Sequence, residues 1–143
     1  MTHIYALQGS GDFKNKKREI LEDLHKMLIE LYPDSTFKPK VGNDIIREVG
    51  QLKNGLKIAI EGDDTNKDYL KRVLADYKEQ KYDVIFCSCC LTGETFDIVE
   101  SMEDDTCKVH FIGLRTLAKP VLKDSKKQPY YEQAHELRIL AGL

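Results

Sequence analysis

The turn after the first apolar segment combines glycines with lysines in a way that suits binding of a phosphate group. A buried strand is predicted for His3–Gln8 and a helix for Lys16–Tyr32. Glycines in a strand-to-helix turn leave backbone N–H groups exposed, and the helix N-terminus adds positive potential, so an anion can be held there. The alternative is a turn that needs its glycines for backbone geometry alone. The candidate phosphate ligands are Gly9, Ser10, Gly11, Lys14, Asn15, Lys16 and Lys17.

Carboxylates follow a later predicted strand, at Glu61, Asp63 and Asp64. A carboxylate at a strand end beside a phosphate loop can bind Mg²⁺ directly or through water. Asp63 is the predicted magnesium ligand. The alternative is that Asp63 or Asp64 caps the next helix, because aspartate is a leading N-cap residue.

Thr92 and Arg115 each follow a further predicted strand. The hydroxyl of Thr92 offers a second anion contact near a helix start, and the guanidinium of Arg115 suits a phosphate clamp. Their alternatives are an N-cap for Thr92 and a solvated surface position for Arg115.

Three of the four cysteines, Cys87, Cys89 and Cys90, lie within one apolar strand segment. Their spacing does not match a zinc knuckle, which favours small buried thiols over a metal site. A second alternative is a nucleophilic Cys90 at the mouth of the strand, because a nearby helix N-terminus lowers the pKa of a thiol. The absence of a disulfide-like spacing favours reduced thiols and a cytoplasmic protein.

Predicted strands and helices alternate along the chain, which indicates a mostly parallel sheet covered by helices on both faces. Asn54-Gly55 stands between two apolar runs and predicts one antiparallel hairpin. The expected fold is a three-layer α/β/α domain over residues 1–143. After the first pair of elements, the predicted strands are Ile45–Leu52, Leu56–Ile60, Val84–Cys90 and Lys108–Leu114, and the predicted helices are Tyr69–Gln80, Thr92–Met102 and Tyr130–Ala141.

The overall composition is that of an ordinary globular domain. Hydrophobic residues make up 41% of the 143 residues and charged residues 32%, and the net charge is −2. This charge gives no reason to expect a nucleic-acid partner, and no apolar run approaches the ~20 residues of a membrane span. The N-terminus lacks the cationic and apolar regions of a secretory signal. Lys119–Lys127 and the wider stretch Val121–Pro129 are predicted to be a polar surface loop.

The segment from Gly9 to Lys17 resembles the phosphate-binding loop of P-loop NTPases, whose motif is G-x-x-x-x-G-K-[ST]. The resemblance extends over about His3–Arg115, where IAIEGDD and YDVIFCSCCLTGET are similar to the later part of a small P-loop ATP-binding protein. Three departures mark the loop as degenerate. The spacing from Gly9 to Lys16 is one residue too long, Asn15 replaces the second glycine, and Lys17 replaces the Ser or Thr that holds magnesium.

This resemblance implies a P-loop-like domain that binds a nucleotide or another phosphorylated small molecule, with ATP and Mg²⁺ as candidate cofactors and with weak or lost NTPase activity. A different class of function is a non-enzymatic assembly module, in which a sheet edge or the terminal helix pairs with another chain, including a homo-oligomer. A third possibility is a flavodoxin-like or receiver-like domain. The strand order in a structure distinguishes the third from the first.

Overall fold

A computed structural model describes residues 1–114 and 128–143. Within these residues, strands alternate with helices or a hairpin in the order that the sequence predicts, and the last helix follows the last strand. The strands are β1 (Thr2–Gln8), β2 (Arg47–Gln51), β3 (Lys57–Glu61), β4 (Val84–Cys89) and β5 (Cys107–Gly113), and the helices are α1 (Lys14–Leu31), α2 (Lys67–Glu79), α3 (Glu94–Glu100) and α4 (Gln128–Leu140). A short 3₁₀ turn, Gly11–Phe13, precedes α1. Predicted element types are therefore confirmed in the described residues, with boundaries shifted by up to two residues.

The strands form one mixed sheet in the order β2-β3-β4-β1-β5. β1 lies between β4 and β5 and pairs with both in parallel, with Ile4 opposite Ile85 on one side and Val109 on the other. β3 is parallel to β4, and β2 is antiparallel to β3. The prediction of a mostly parallel sheet with one antiparallel hairpin is confirmed.

The position of β1 separates this fold from the flavodoxin-like alternative. Numbered along the chain, the parallel strands β1, β3, β4 and β5 are the first, second, third and fourth. Across the sheet they follow the order second, third, first, fourth, so the first strand lies between the third and the fourth. In a flavodoxin-like or receiver-like sheet, the first strand lies between the second and the third. The flavodoxin-like or receiver-like alternative is therefore wrong.

Helices cover both faces of the sheet, which is compatible with three α/β/α layers. Under α1 and α4 the core includes Leu7, Leu24 and Phe86, all inaccessible to solvent. Under α2 and α3 it includes Ile85 and Leu70. Burial of this kind contributes about 25 cal/mol per Å² of apolar surface. None of the helices in the described part of the chain has the length and apolar character that a membrane span needs.

The start of α2 differs from the sequence prediction. The side chain of Asn66 accepts a hydrogen bond from the amide of Tyr69 at 3.0 Å, which makes Asn66 the N-cap. Asparagine is as strong an N-cap as aspartate, so the local sequence alone did not separate the candidates. The cap was predicted at an earlier residue, namely Asp63, Asp64 or Thr65.

The start of α3 also differs. The residue before the helix is Gly93, which has a φ of 91° and makes no side-chain cap. The N-cap predicted at Thr92 is therefore wrong. Instead, the hydroxyl of Thr95 accepts a hydrogen bond from the amide of Cys90 at 3.1 Å, which fixes the helix to the end of β4.

Replacement of Gly50 with Ala is expected to lower the free energy of unfolding by about 1–3 kcal/mol, because the new methyl group overpacks the core. A Cβ at this position in β2 would stand 2.5 Å from the ring of Phe37. Urea unfolding measures the effect. The control is Gly113→Ala in β5, where a Cβ meets nothing within 4 Å. Equal effects of the two substitutions would contradict the packing of Phe37 on β2.

Candidate functional site

The loops that follow β1, β3 and β4 meet at one edge of the sheet. The chain leaves β1 toward the β3 side and leaves β4 in the opposite direction, toward β5. This reversal is the topological switch point, outside which parallel α/β sheets bind their ligands. The phosphate-loop segment and the acidic segment predicted from the sequence both lie at this edge.

A small cleft opens here between the N-terminal turns of α1 and the segment after β3. Its volume is about 180 Å³. The side chains of Lys14, Asn15 and Arg18 come from α1, while Asp64 and Thr65 come from the segment after β3. Two cations, an amide, a hydroxyl and the carboxylate of Asp64, which is paired with Lys17, thus surround a space of the size of a phosphate or diphosphate group.

Lys17 does not face this cleft as a free cation. Its side chain is fully buried, and its ammonium donates to the carbonyl oxygens of Gly9 and Cys89, both at 3.1 Å, and to the carboxylate of Asp64. An ammonium has three hydrogens, so these three oxygens satisfy it. The bonds tie together the segments after β1, β3 and β4. Lys17, predicted as a phosphate ligand, instead acts as an internal link.

The turn after β1 uses most of its amides within the protein. The amide of Gly9 donates to Cys89 O at 3.1 Å, and that of Phe13 donates to Ser10 O at 2.9 Å. The hydroxyl of Ser10 accepts from the amide of Asp12 at 3.4 Å, as the cap of the 3₁₀ turn. The segment after β1 therefore resembles a capped turn more closely than an anion-binding loop with free amides. The backbone cradle predicted for Gly9 is therefore not available at its own amide, while Gly11 lies at the exposed tip.

The remaining lysines of the loop point in different directions. Lys14 and Asn15 are exposed and line the cleft. The ammonium of Lys16 lies 4.8 Å from the centre of the Phe13 ring, in a cation–π contact, and is not part of the cleft wall. Lys14 and Arg18 therefore replace Lys16 as the cations best placed for a phosphate. Arg18 was not predicted, although it lies one helical turn after Lys14 and this spacing puts both on one face.

Thr92 is exposed and makes none of the hydrogen bonds found in the described residues. Its predicted role as an anion contact remains a prediction, and the short α3 that follows it offers little additional support. Arg115, predicted as a clamp, lies outside the described residues, as do Lys119–Lys127. Of the stretch predicted as a loop, the last two positions belong to α4, which begins at Gln128.

Asp63, the predicted magnesium ligand, is already engaged. One carboxylate oxygen accepts from Arg47 at 2.8 Å, and the other accepts from the amide and hydroxyl of Thr65 at 2.9 and 2.8 Å. Burial raises the pKa of Asp63, but the hydrogen bonds from Thr65 and the charge of Arg47 outweigh it, so that the pKa is lowered. Among the described residues, no group of three or more His, Cys, Asp or Glu side chains is placed to hold a metal ion. A magnesium ion would have to displace these bonds.

A buried carboxylate network next to Asp63 was missed from the sequence. Glu61 is inaccessible to solvent and accepts from Arg47 Nε at 3.3 Å, from the Asp63 amide at 3.2 Å and from Tyr69 OH at 3.2 Å. Burial raises the pKa of Glu61 above its ordinary value, and the hydrogen bonds and the charge of Arg47 offset part of this rise. The guanidinium of Arg47 also lies 4.1 Å from the centre of the Tyr69 ring. A hairpin centred on Asn54 pairs Arg47 with Glu61, so the predicted hairpin already implied that these two residues lie opposite each other.

All four cysteines are free thiols, and three of them pack in the core, whereas Cys90 is only partly buried and its nucleophilic role stays a prediction. Cys87 and Cys89 lie on the α2–α3 side of β4, and burial raises the pKa of both, that of Cys89 to about 12. Burial also raises the pKa of Cys107. A raised pKa disfavours the thiolate that nucleophilic or metal chemistry requires. These three thiols are therefore structural.

The site thus consists of a cleft lined by Lys14, Arg18, Asn15 and Asp64, in which Asp64 forms an ion pair with the buried Lys17 behind the wall. Its geometry suits an anion more than a metal ion. Comparisons of the chain with protein-family models, with curated proteins and with solved structures found no match.

Proposed function

We propose that this domain binds a phosphorylated small molecule, of the nucleotide class or related to it, with weak or lost hydrolysis of the phosphate. The observation that carries the proposal is the cleft between the first turns of α1, which supply Lys14, Asn15 and Arg18, and the segment after β3, which supplies Thr65 and the lysine-paired Asp64. Their ammonium, guanidinium, amide and hydroxyl groups donate hydrogen bonds, and the helix N-terminus favours negative charge.

The arrangement of Lys17 and Asp64 argues against efficient phosphoryl transfer. Catalysis of that reaction depends on a lysine and a metal-binding carboxylate that stabilise charge on the transferred group. In this domain the buried lysine and the buried aspartate neutralise each other, and Asp63 is bonded to Arg47 and Thr65. We therefore expect binding without appreciable turnover of ATP.

Titration of pyrophosphate into the protein by isothermal calorimetry tests the proposal. The substitution Lys14→Ala is expected to weaken binding about fivefold to tenfold, because it removes about 1 kcal/mol of charge-assisted hydrogen bonding at an exposed position. Lys16→Ala is the matched control, since its ammonium lies over Phe13 and outside the cleft. Equal losses from both substitutions would indicate a diffuse charge effect, and no heat with the unchanged protein would overturn the proposal.

A second candidate function, an assembly module, is favoured by exposed apolar side chains on α4. Three large side chains are exposed there, namely Tyr131, Ile139 and Leu140, each with about half or more of its area accessible. β5, on which α4 borders, is an edge of the sheet in the described part of the chain. Light scattering across a concentration series tests this function, and a stable dimer that is lost with Ile139→Glu would support it.

A further inference from the structure

A larger cavity adjoins the phosphate cleft along the length of α1. Its volume is about 540 Å³, and it lies between α1 and the segment that connects α1 to β2. Arg18 lines both spaces. From Arg18 the cavity runs past His25 to Ile29, which at 1.5 Å per residue is a distance of about 16 Å along the helix. We name this space the α1 groove.

The two volumes suggest a division of roles. Pockets for organic ligands usually have about 300–1,000 Å³. The cleft of about 180 Å³ falls below that range and suits a phosphate group by itself, whereas the α1 groove of about 540 Å³ falls within it. A phosphate ester that reached from the cleft past Arg18 would place its organic part in the groove.

The wall of the α1 groove combines apolar and charged groups. Ile29 and Pro39 supply an apolar surface on which a planar ring can lie, and Asn43 supplies an amide. Lys40 pairs with Glu22 at 3.3 Å, while Arg18 lies 3.9 Å from the same carboxylate and its buried Nε has no hydrogen-bond partner. The 3.9 Å distance is that of Nε itself, so the guanidinium at the junction of the two spaces is held near Glu22 by charge and makes no hydrogen bond at Nε.

His25 is a second group with unused hydrogen-bonding capacity. It lines the groove, is only 1% exposed, and its Nε2 has no hydrogen-bond partner. Burial lowers the pKa of His25, so the ring is neutral near pH 7. A neutral imidazole has one donor and one acceptor nitrogen, and which of the two Nε2 is depends on the tautomer. A ligand that carries the matching acceptor or donor could supply the missing bond.

We propose that one nucleotide-class phosphate ester occupies both spaces, with its phosphate between Lys14 and Arg18 and its nucleoside in the α1 groove beside His25. This inference rests on the proposed function, because the cleft anchors the phosphate. It goes further in assigning the organic part of the ligand to a defined cavity and in naming the residues that contact it.

Calorimetric titration of ADP and of pyrophosphate separates the claim that the cleft binds phosphate from the claim that the α1 groove binds the nucleoside. We expect ADP to bind at least about tenfold more tightly than pyrophosphate, since only ADP fills the groove. Asn43→Trp fills the groove from an exposed loop position and is expected to remove this tenfold advantage without changing the affinity for pyrophosphate. Ala75→Trp, on the exposed face of α2, is the matched control and should bind both probes like the unchanged protein.

NMR of the histidine ring nitrogens gives an independent readout. The Nε2 signal of His25 should shift on addition of ADP and stay in place with pyrophosphate. If pyrophosphate binds but ADP gains nothing over it, or if Asn43→Trp leaves the affinity for ADP unchanged, the groove assignment is overturned and the proposed function stands. If neither probe binds, the proposed function fails, and this inference fails with it.

Discussion

Replacement of Lys17 with Met is expected to lower the free energy of unfolding by about 3–5 kcal/mol, the usual effect of removing one partner from a buried ion pair. The ammonium of Lys17 is the cation bonded to the carboxylate of Asp64, and both side chains are almost completely buried. Without the lysine, the buried carboxylate of Asp64 and the carbonyl oxygen of Gly9 lose this partner, and the carbonyl oxygen of Cys89 keeps only its bond from the Gly9 amide among the described contacts. Urea unfolding near neutral pH measures the loss.

Two further variants identify the cause. Lys16→Met makes the same chemical change on the neighbouring residue, whose ammonium contacts only an aromatic ring, and should cost less than about 1 kcal/mol. Lys17→Met combined with Asp64→Leu removes both charges and should recover much of the lost stability, because the desolvation of an unpaired carboxylate is then absent. A double variant as unstable as Lys17→Met alone would show that the ion pair is not the source.

The same double variant also tests whether Lys17 contributes to the binding of a phosphate ligand. If Lys17 serves as a link between the loops, pyrophosphate affinity should not fall once the fold is restored, because Lys14 and Arg18 remain in the cleft wall and the variant also removes the carboxylate of Asp64 from it. A phosphate-binding lysine would give the opposite result, with affinity lost while stability is retained. Calorimetry on the double variant therefore separates the structural role from the P-loop role.

The architecture was predictable because local signals agree with the global fold. Apolar runs such as Val84–Cys89 have the length and residue types of buried strands, and Asn54-Gly55 specifies the hairpin. The position of β1 between β4 and β5 was not predictable in the same way, because strand order depends on long-range pairing and not on local pattern. The rules for connections between strands reduce the number of possible strand orders but do not select one of them.

The site was predictable in its location and less so in its contacts. The carboxyl ends of β1 and β3 do bring the glycine-rich turn and the acidic segment together, as parallel strands require. Which lysine is buried could not be read from three closely spaced lysines and an asparagine in one helical turn. The choice of Lys17 depends on helical phase: it lies on the inward face with Ile20, Leu21 and Leu24, whereas Lys14 lies on the outer face.

The carboxylate network was missed for a different reason. Glu61 and Asp63 were considered only as strand-end acids, and their partner Arg47 lies in another strand. Its pairing with Glu61 follows from extending the hairpin register outward from Asn54. Burial of Glu61 then depends on Tyr69 in α2, a contact that only the packed structure supplies.

Arg47→Met is expected to destabilise the fold by about 1–2 kcal/mol near pH 7, less than for a fully buried pair because its side chain is 43% exposed and screened by solvent. Burial raises the pKa of Glu61, and Arg47 opposes that rise, so the substitution raises the pKa further. A carboxyl whose folded-state pKa is raised destabilises the fold at pH values above that pKa, and the cost is relieved as it takes up a proton.

The penalty of Arg47→Met should therefore be largest at neutral pH and shrink as the pH falls toward the ordinary range of glutamate pKa values. Loss of the ion pair between Arg47 and Asp63 also makes the destabilisation larger at neutral pH than at low pH, because Arg47 helps to hold the pKa of Asp63 low. Urea unfolding at about pH 7 and about pH 4.5 measures the difference. Arg72→Met is the matched control, since its guanidinium also lies over the Tyr69 ring, at 5.7 Å, but has no carboxylate bond among the described contacts. A pH-independent penalty for Arg47→Met, equal to that of the control, would show that Arg47 stabilises the ring of Tyr69 and not the buried charge of Glu61.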